Sequence, residues 1–256
     1  KAVVNKANLC GVSTTGVIQY SPGGLAFTIT PEAKNADLQR TYDCLWDLPV
    51  KADATYELSG TVKLPATRQN PLTSLSGNLE YLSTDGNIMY TNTLIQIIHY
   101  LNASGLFSGG KDGLASQTAK VSAEIGGGDL RLNEILIDGQ AMKITGQGRI
   151  ELQSTAADIT LLVAPLRRVG RFVDLIPGMN LLTGGSLISI PLHVEGPLKD
   201  LKIAPLPPAA VGKGVLNAME RILKAPSKMI EGSADWVSEE TSKTVPTGTE
   251  PEQRSP

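Results

Sequence analysis

Alternation of apolar and polar residues is the feature that most constrains this chain, and it is clearest between Ile137 and Ile203. From Met142 to Glu151 one parity holds apolar residues and glycine, while the other holds polar and charged residues. The stretches 157–165 and 186–203 follow, and the second of these alternates again. Because successive side chains of a strand point to opposite faces, the pattern predicts an antiparallel sheet with one apolar face.

The composition agrees with a mainly β chain that has an aliphatic core. Of 256 residues, 41% are hydrophobic, but three are Phe and two are Trp. The 26 glycines and 16 prolines suit many turns between strands. The net charge of −2 provides no electrostatic argument for binding nucleic acid. No apolar run approaches the roughly 20 residues of a membrane-spanning helix.

Several other segments also have sequence patterns typical of strands and turns. Residues 55–64 and 118–138 alternate like strands, the second around a glycine turn at 126–128. The pair Asp85-Gly86 between apolar runs predicts a hairpin turn, because the pair tolerates positive φ. The predicted fold is therefore a large twisted antiparallel sheet with one apolar face. Whether helices cover all of that face decides between a closed domain and an open, curved groove.

Two helical segments accompany the predicted sheet. A central amphipathic helix at 92–107 is predicted because its apolar residues have the i, i+3, i+4, i+7 spacing of one helix face. They are Leu94, Ile97, Ile98 and Leu101. A C-terminal helical segment is predicted at 211–232, after the strand-breaking sequence PLPPAA. The polar residues 236–256 are expected to be a disordered tail.

The two cysteines, Cys10 and Cys44, can be interpreted in two ways. In an oxidising compartment we expect them to pair, and in the cytosol they could be two unrelated buried thiols. The residues alone leave both readings open. A metal site is not expected, because neither cysteine has a CxxC partner and His99 and His193 are the only histidines.

The search for catalytic groups yields little. Gly146-Gln147-Gly148 lacks the third glycine of a nucleotide-binding fingerprint. His193 and Glu195 share a strand parity and could act as an acid–base pair, but no nucleophile can be assigned to them. We therefore expect no enzymatic activity and no cofactor. The carboxylates Asp138, Glu151 and Asp158 would suit a hydrolase only if two of them faced one cleft, and solvated charges are the commoner explanation. The arginines Arg167, Arg168 and Arg171 could bind an anionic head group or phosphate, but such a trio is more often a solvated loop.

Three segments resemble the C-terminal region of the AsmA-like family, the envelope proteins of TamB and YhdP type. They are LSGNLEYLSTDGNIMYTNTLIQIIHYLNASGLF (75–107), LRLNEILIDGQAMKITGQGRIELQSTAADITLLVAPL (130–166) and IPGMNLLTGGSLISIPLHVEGPLKDLKIAPL (176–206). Together they cover roughly residues 58–230, in the order and spacing of that family. One departure is Leu201, where the family often has proline.

The resemblance implies a non-enzymatic, periplasmic β domain. In the family, a hydrophobic groove serves transport of phospholipid between inner and outer membranes, and an N-terminal segment anchors the protein to the inner membrane. The resemblance also implies a Cys10–Cys44 disulfide. It sets one domain at 1–235, with Cys-containing first strands at 1–50 and a helical cap at 207–235. The expected partners are phospholipid, membrane and an envelope protein, without nucleic acid.

The candidate lipid-contacting residues lie on the apolar parity of the alternating strands. They are Ile144, Ile150, Ile159, Leu161, Ile188, Ile190 and Leu192. The alternative is that these side chains form an ordinary closed core. A second hypothesis is an envelope assembly or scaffold factor that binds a partner through sheet edges or the amphipathic helix. An enzyme using His193 and Glu195 ranks third.

Overall fold

A single antiparallel sheet of eleven strands makes up most of the protein, and strands that follow one another in the chain are neighbours. The structure, a computed structural model, describes residues 1–45, 51–67, 70–89, 114–139, 142–165 and 189–224. The strands are β1 Ala2–Leu9, β2 Val12–Ser21, β3 Gly24–Asp37, β4 Lys51–Leu64, β5 Ser76–Met89, β6 Leu114–Gly126, β7 Asp129–Gly139, β8 Met142–Glu151, β9 Ala156–Pro165, β10 Ile190–Pro197 and β11 Lys202–Pro205. The expectation of a mainly β fold built on one large sheet is confirmed.

Three helices accompany the sheet in the described part of the chain. They are α1 Leu38–Leu45, the single turn α2 Pro71–Ser74, and α3 Lys213–Lys224. The predicted C-terminal helical segment corresponds to α3, which follows a short 3₁₀ turn at Pro208–Ala210. The predicted central helix with Leu94, Ile97, Ile98 and Leu101 lies outside the described residues, as does the tail 236–256.

The register places residues directly opposite one another in rows that cross the sheet. In one row Ile144 of β8 faces Val163 of β9, which faces Ile190 of β10. Since opposite residues of paired strands share a face, each row extends one face of the sheet. The apolar face is defined here by two central rows and the rows beside them. From β4 to β11, the first central row is Gly60, Leu79, Ala123, Leu132, Gly148, Ile159, Val194 and Ile203. The second central row is Leu58, Tyr81, Val121, Ile135, Gly146, Leu161, Leu192 and Pro205.

The other side of the sheet, the polar face, carries α3. This helix contacts β7, β8 and β9. Its Val215, Met219 and Ile222 pack with Leu162 and Ala164, which have the opposite parity to Leu161 and Val163. Thr145, also on the polar face, donates a hydrogen bond to the carbonyl of Val215. The polar face thus carries a small apolar surface formed by Leu136, Leu162 and Ala164, the apolar island, and α3 covers it.

The predicted hairpin at Asp85-Gly86 is wrong. β5 runs without interruption from Ser76 to Met89, and the register against β4 shifts between Asp53 and Thr55. Asp85 does have the positive φ, 52°, that suggested a turn. In the sheet this conformation makes a β-bulge, because β4 and β6 pair with β5 on both sides of it.

The glycine pair Gly146 and Gly148 permits close approach of β8 and β9. A Cβ on Gly146 would stand 2.5 Å from Leu161 Cδ2. A Cβ on Gly148 would stand 2.4 Å from the backbone oxygen of Asp158. Both positions lie on the apolar face, where the side chains of Leu161 and Ile159 pack against the glycine backbone and occupy the space that a side chain would need.

Cys10 and Cys44 form a disulfide, with Cα atoms 5.5 Å apart. The bond ties α1 to the turn between β1 and β2. The Thr41 hydroxyl reinforces this connection by donating to the Cys10 carbonyl at 2.8 Å. The expected pairing is confirmed.

Candidate functional site

The apolar face is the most extensive functional candidate in the described part of the protein. In the two central rows and the row on either side of them, none of the described residues from β2 to β10 is charged; Asp85, at the β5 bulge, continues the same parity beyond these rows. The face owes its chemistry to the period of two, because each alternating strand contributes its apolar parity to the same side. Such a face can hold an apolar ligand without burying an unpaired charge.

Burial divides the face into a closed part and an accessible part. Ile144, Ile190 and Leu192 are 2%, 6% and 0% exposed and form a cluster with Met142 and Val163. By contrast, the side chains along the middle of the sheet are only half-buried. They are Leu58, Val62, Leu79, Tyr81, Val121, Ile125, Leu130, Ile135, Ile150, Ile159 and Leu161.

The lipid-contact candidates from the sequence therefore fall into three groups. Ile150, Ile159 and Leu161 belong to the accessible part, whereas Ile144, Ile190 and Leu192 lie in the closed cluster. Ile188 lies outside the described residues. The structure places the six described candidates on one face, by register. The remaining half-buried residues of β4 to β7 extend the site, and the alternation in 55–64 and 118–138 was the signal for them.

At one end of the apolar face, α1 lies against β3 and β4. The Thr41 hydroxyl is 2.9 Å from the Tyr56 hydroxyl, and Tyr56 is only 4% exposed. The Tyr56 ring stacks on Tyr81 with centroids 5.5 Å apart. Burial raises the pKa of the Tyr81 phenol. The apolar face thus ends there at the Tyr56 hydroxyl, and Thr41 of α1 is its hydrogen-bond partner.

The polar face has an open cleft of about 770 Å³ beside the first turn of α3. Arg131, Gln147, Arg149 and Asp158 contribute to its lining. Arg149 makes long ion pairs of 3.8 Å with Asp129 and 3.7 Å with Asp158. These groups neutralise one another at the surface, and Arg149 is 61% exposed. The cleft is therefore a solvated charge network.

His193 lies near this network. Its Nε2 is 3.0 Å from Asp158 Oδ1, on the neighbouring strand. The sequence paired His193 with Glu195, but the hydrogen-bond partner is the cross-strand carboxylate. His193 is half-buried, as is common for a histidine at the surface of a sheet. The enzyme hypothesis stays a prediction, and His99 with the three arginines lies outside the described residues.

Two acidic groups on the polar face have unusual surroundings. Asp138 is 3% exposed, and its Oδ1 accepts a hydrogen bond of 2.7 Å from Lys143 Nζ. Its Oδ2 has no hydrogen-bond partner among the residues that the structure describes. Burial raises the pKa of Glu80, and the charge of Glu134 adds to this while Lys120 opposes it. Glu134 also pairs with Arg221 of α3, which links the helix to β7.

Among the described residues, no group of three or more His, Cys, Asp or Glu side chains is placed to hold a metal ion. No helix in the described part is long and apolar enough to cross a membrane. Comparisons of the chain with protein-family models, curated proteins and solved structures find no match.

Proposed function

We propose that this protein binds the acyl chains of phospholipid along its apolar face. The observation that carries the proposal is the position of α3. Among the described residues, the helix packs on the polar side of β7, β8 and β9, whereas the half-buried aliphatic side chains of β4 to β9 lie on the opposite side. Partly exposed apolar side chains that adjoin one another over several strands offer a surface on which an acyl chain can bury its methylene groups.

The dimensions of the sheet suit acyl chains. Eleven strands at about 4.8 Å spacing make a sheet about 48 Å wide. One leaflet of a bilayer has a hydrocarbon thickness of about 15 Å. The accessible part of the apolar face crosses six strands, β4 to β9, and so spans about 24 Å, which is longer than one acyl chain. Each buried methylene group of a chain contributes about 0.8 kcal/mol, so a chain with more than ten of them has a large driving force for binding.

The wider proposal follows the resemblance to AsmA-like proteins. It places the protein in the periplasm, attached to the inner membrane in its full-length form, and gives it a part in phospholipid transport between membranes. The Cys10–Cys44 disulfide supports an oxidising compartment, because disulfides persist there and are rare in the cytosol. The uncharged apolar face supports a hydrophobic cargo.

The experiment uses two adjacent positions on β6. Val121 lies on the apolar face and Ser122 on the polar face, and both are half-buried. A photo-crosslinking amino acid is introduced at each position in cells, and the purified protein is analysed by mass spectrometry for lipid adducts. We expect phospholipid adducts at Val121 and none at Ser122.

Native mass spectrometry of the unmodified protein provides the second measurement. We expect phospholipid to co-purify and to be released on denaturation. Absence of co-purified lipid together with equal crosslinking at the two positions would show that the face is only a core surface.

A partner protein at the free edge of β1 is the second candidate. Among the described strands β1 has one neighbour, β2, so its outer backbone groups have no partner in that part of the sheet, and Val3 and Leu9 are 63% and 67% exposed. Such an edge can accept an added strand. Crosslinks from β1 to an envelope protein, without lipid crosslinks at Val121, would favour a scaffold function.

A further inference from the structure

Large exposed apolar side chains occur at one edge of the sheet. All six in the described part of the chain belong to its first 45 residues. They are Val3, Leu9, Ile18, Tyr20, Leu25 and Leu45. Strands β4 to β11 contribute none in the described part, so this exposure belongs to the edge of the sheet formed by β1, β2, β3 and α1.

The tip of the β2–β3 hairpin concentrates this exposure. Tyr20 and Leu25 are direct cross-strand partners on either side of the turn, and they are 84% and 46% exposed. Ile18, in the next row of the same face, is 37% exposed. The Ser21 hydroxyl holds the turn by accepting the Gly23 N–H at 3.3 Å. The tip therefore presents an ordered apolar patch.

This patch is continuous with the apolar face. Ile18 faces Phe27 of β3, and Phe27 faces Leu64 of β4 in the same row. At the opposite end of these strands α1 and the disulfide lie against the face, through Thr41. The two ends therefore differ, and the patch is at the end away from α1.

The charges around the patch have one sign. Residues 1–31 include Lys1 and Lys6 but no Asp or Glu. Lys63 of β4 faces Thr28 of β3, three residues along from Leu25; it lies on the polar face of the sheet and is exposed. A patch without carboxylates can approach an anionic membrane surface without repulsion, and lysines beside it are attracted to that surface. Tyrosine is enriched at membrane–water interfaces, where its ring is buried and its hydroxyl stays hydrated.

We infer that the β2–β3 tip, Tyr20 to Leu25, inserts into the interface of a phospholipid bilayer. The same contact brings the apolar face to the membrane, so that an acyl chain can pass from the bilayer to the sheet. That second step rests on the proposed function, whereas the membrane contact does not.

The test is flotation of the full chain with vesicles. One set contains phosphatidylethanolamine and phosphatidylglycerol, and the other contains phosphatidylcholine alone. The variant Tyr20→Ser/Leu25→Ser is compared with Leu9→Ser, which removes a similarly exposed apolar side chain from the other end of the same face. We expect the double variant to partition at least about tenfold more weakly, from the apolar area it no longer buries, and Leu9→Ser to behave like the parent.

Folding is checked by circular dichroism and thermal unfolding, and Lys63→Glu gives an independent variant with an intact tip. We expect Lys63→Glu to weaken binding to the anionic vesicles and to leave binding to phosphatidylcholine unchanged. Equal flotation of the parent, the double variant and Lys63→Glu overturns the inference. The inference is also overturned if analytical ultracentrifugation shows that the tip mediates self-association and flotation shows no membrane binding through it.

The two proposals fail separately. A parent protein that carries lipid in native mass spectrometry but does not float refutes the membrane contact and leaves lipid binding in place. A parent that floats through its tip, but carries no lipid and gives no lipid adduct at Val121, supports the membrane contact and refutes the proposed function.

Discussion

Replacing Met219 by alanine tests which face of the sheet α3 covers. Met219 is 2% exposed and packs with Leu162, Ala164 and Ile222. Truncating a buried methionine lowers the free energy of unfolding by about 2–5 kcal/mol. We expect about 2–3 kcal/mol, because α3 packs from one side and can settle into part of the space. Alanine is a good helix former, so the loss measures packing.

The assay is urea unfolding followed by circular dichroism, with Asn217→Ala as the matched control. Asn217 is an exposed residue of the same helix, so its replacement removes no buried contact, and we expect the midpoint to stay the same or to rise slightly through the higher helix propensity of alanine. Met219→Ala should lower the midpoint at constant slope, which is the signature of a stability change alone. The amount of co-purified phospholipid should match that of the parent, because Met219 lies on the polar face.

Two results would refute this reasoning. An unchanged midpoint for Met219→Ala would mean that α3 does not pack on the island formed by Leu162 and Ala164. Loss of lipid from a variant that remains folded would mean that α3 lines the lipid site, and the assignment of the two faces would then be wrong.

Three further predictions concern the sheet itself. Lys143→Met should lower the free energy of unfolding by about 3–5 kcal/mol, because the buried Asp138 carboxylate loses its cation. Adding Asp138→Asn should recover part of this in the same urea assay, and no recovery would contradict the pairing. Gly148→Ala should lower the thermal midpoint, at a cost of about 1–3 kcal/mol, since its Cβ would meet the backbone of β9. Gly126→Ala, with nothing within 4 Å, is the control, and equal midpoints for the two variants would contradict the close approach. Burial raises the pKa of Glu80 above the ordinary 4.5, so its protonated form is favoured in the folded state. The stabilisation that comes from protonated Glu80 is fully present below pH 4.5, and it is lost as the pH rises through the pKa that Glu80 has in the folded protein. Glu80→Gln should therefore be more stable than the parent at neutral pH and equal to it in acid; a difference in urea midpoint that is constant with pH would count against this.

Much of the sheet could be predicted from the alternation alone. Ile144, Ile190 and Leu192 were assigned to one face, and the register places them there. The glycine turn between β6 and β7 was also predicted, and it contains Gly127 and Gly128 with positive φ. These features are local, because the period of two and the conformation of glycine depend on a few neighbouring residues.

The error at Asp85 shows where local reasoning ends. An Asp-Gly pair favours positive φ in a turn and in a bulge alike. The choice depended on β4 and β6, which pair with β5 on both sides and continue past the pair. Those partners are distant in sequence, so the pair by itself could not reveal them.

Residue order alone predicts that one face of the sheet is apolar, because strand parity follows directly from it. The position of α3, by contrast, depends on the assembled sheet. The island of Leu136, Leu162 and Ala164 is scattered over two strands and becomes a surface only through the register. The amphipathic pattern of α3 calls for an apolar partner but cannot specify which of two apolar surfaces it takes. The burial of Ile144 and the accessibility of Ile159 depend in the same way on what packs nearby in space.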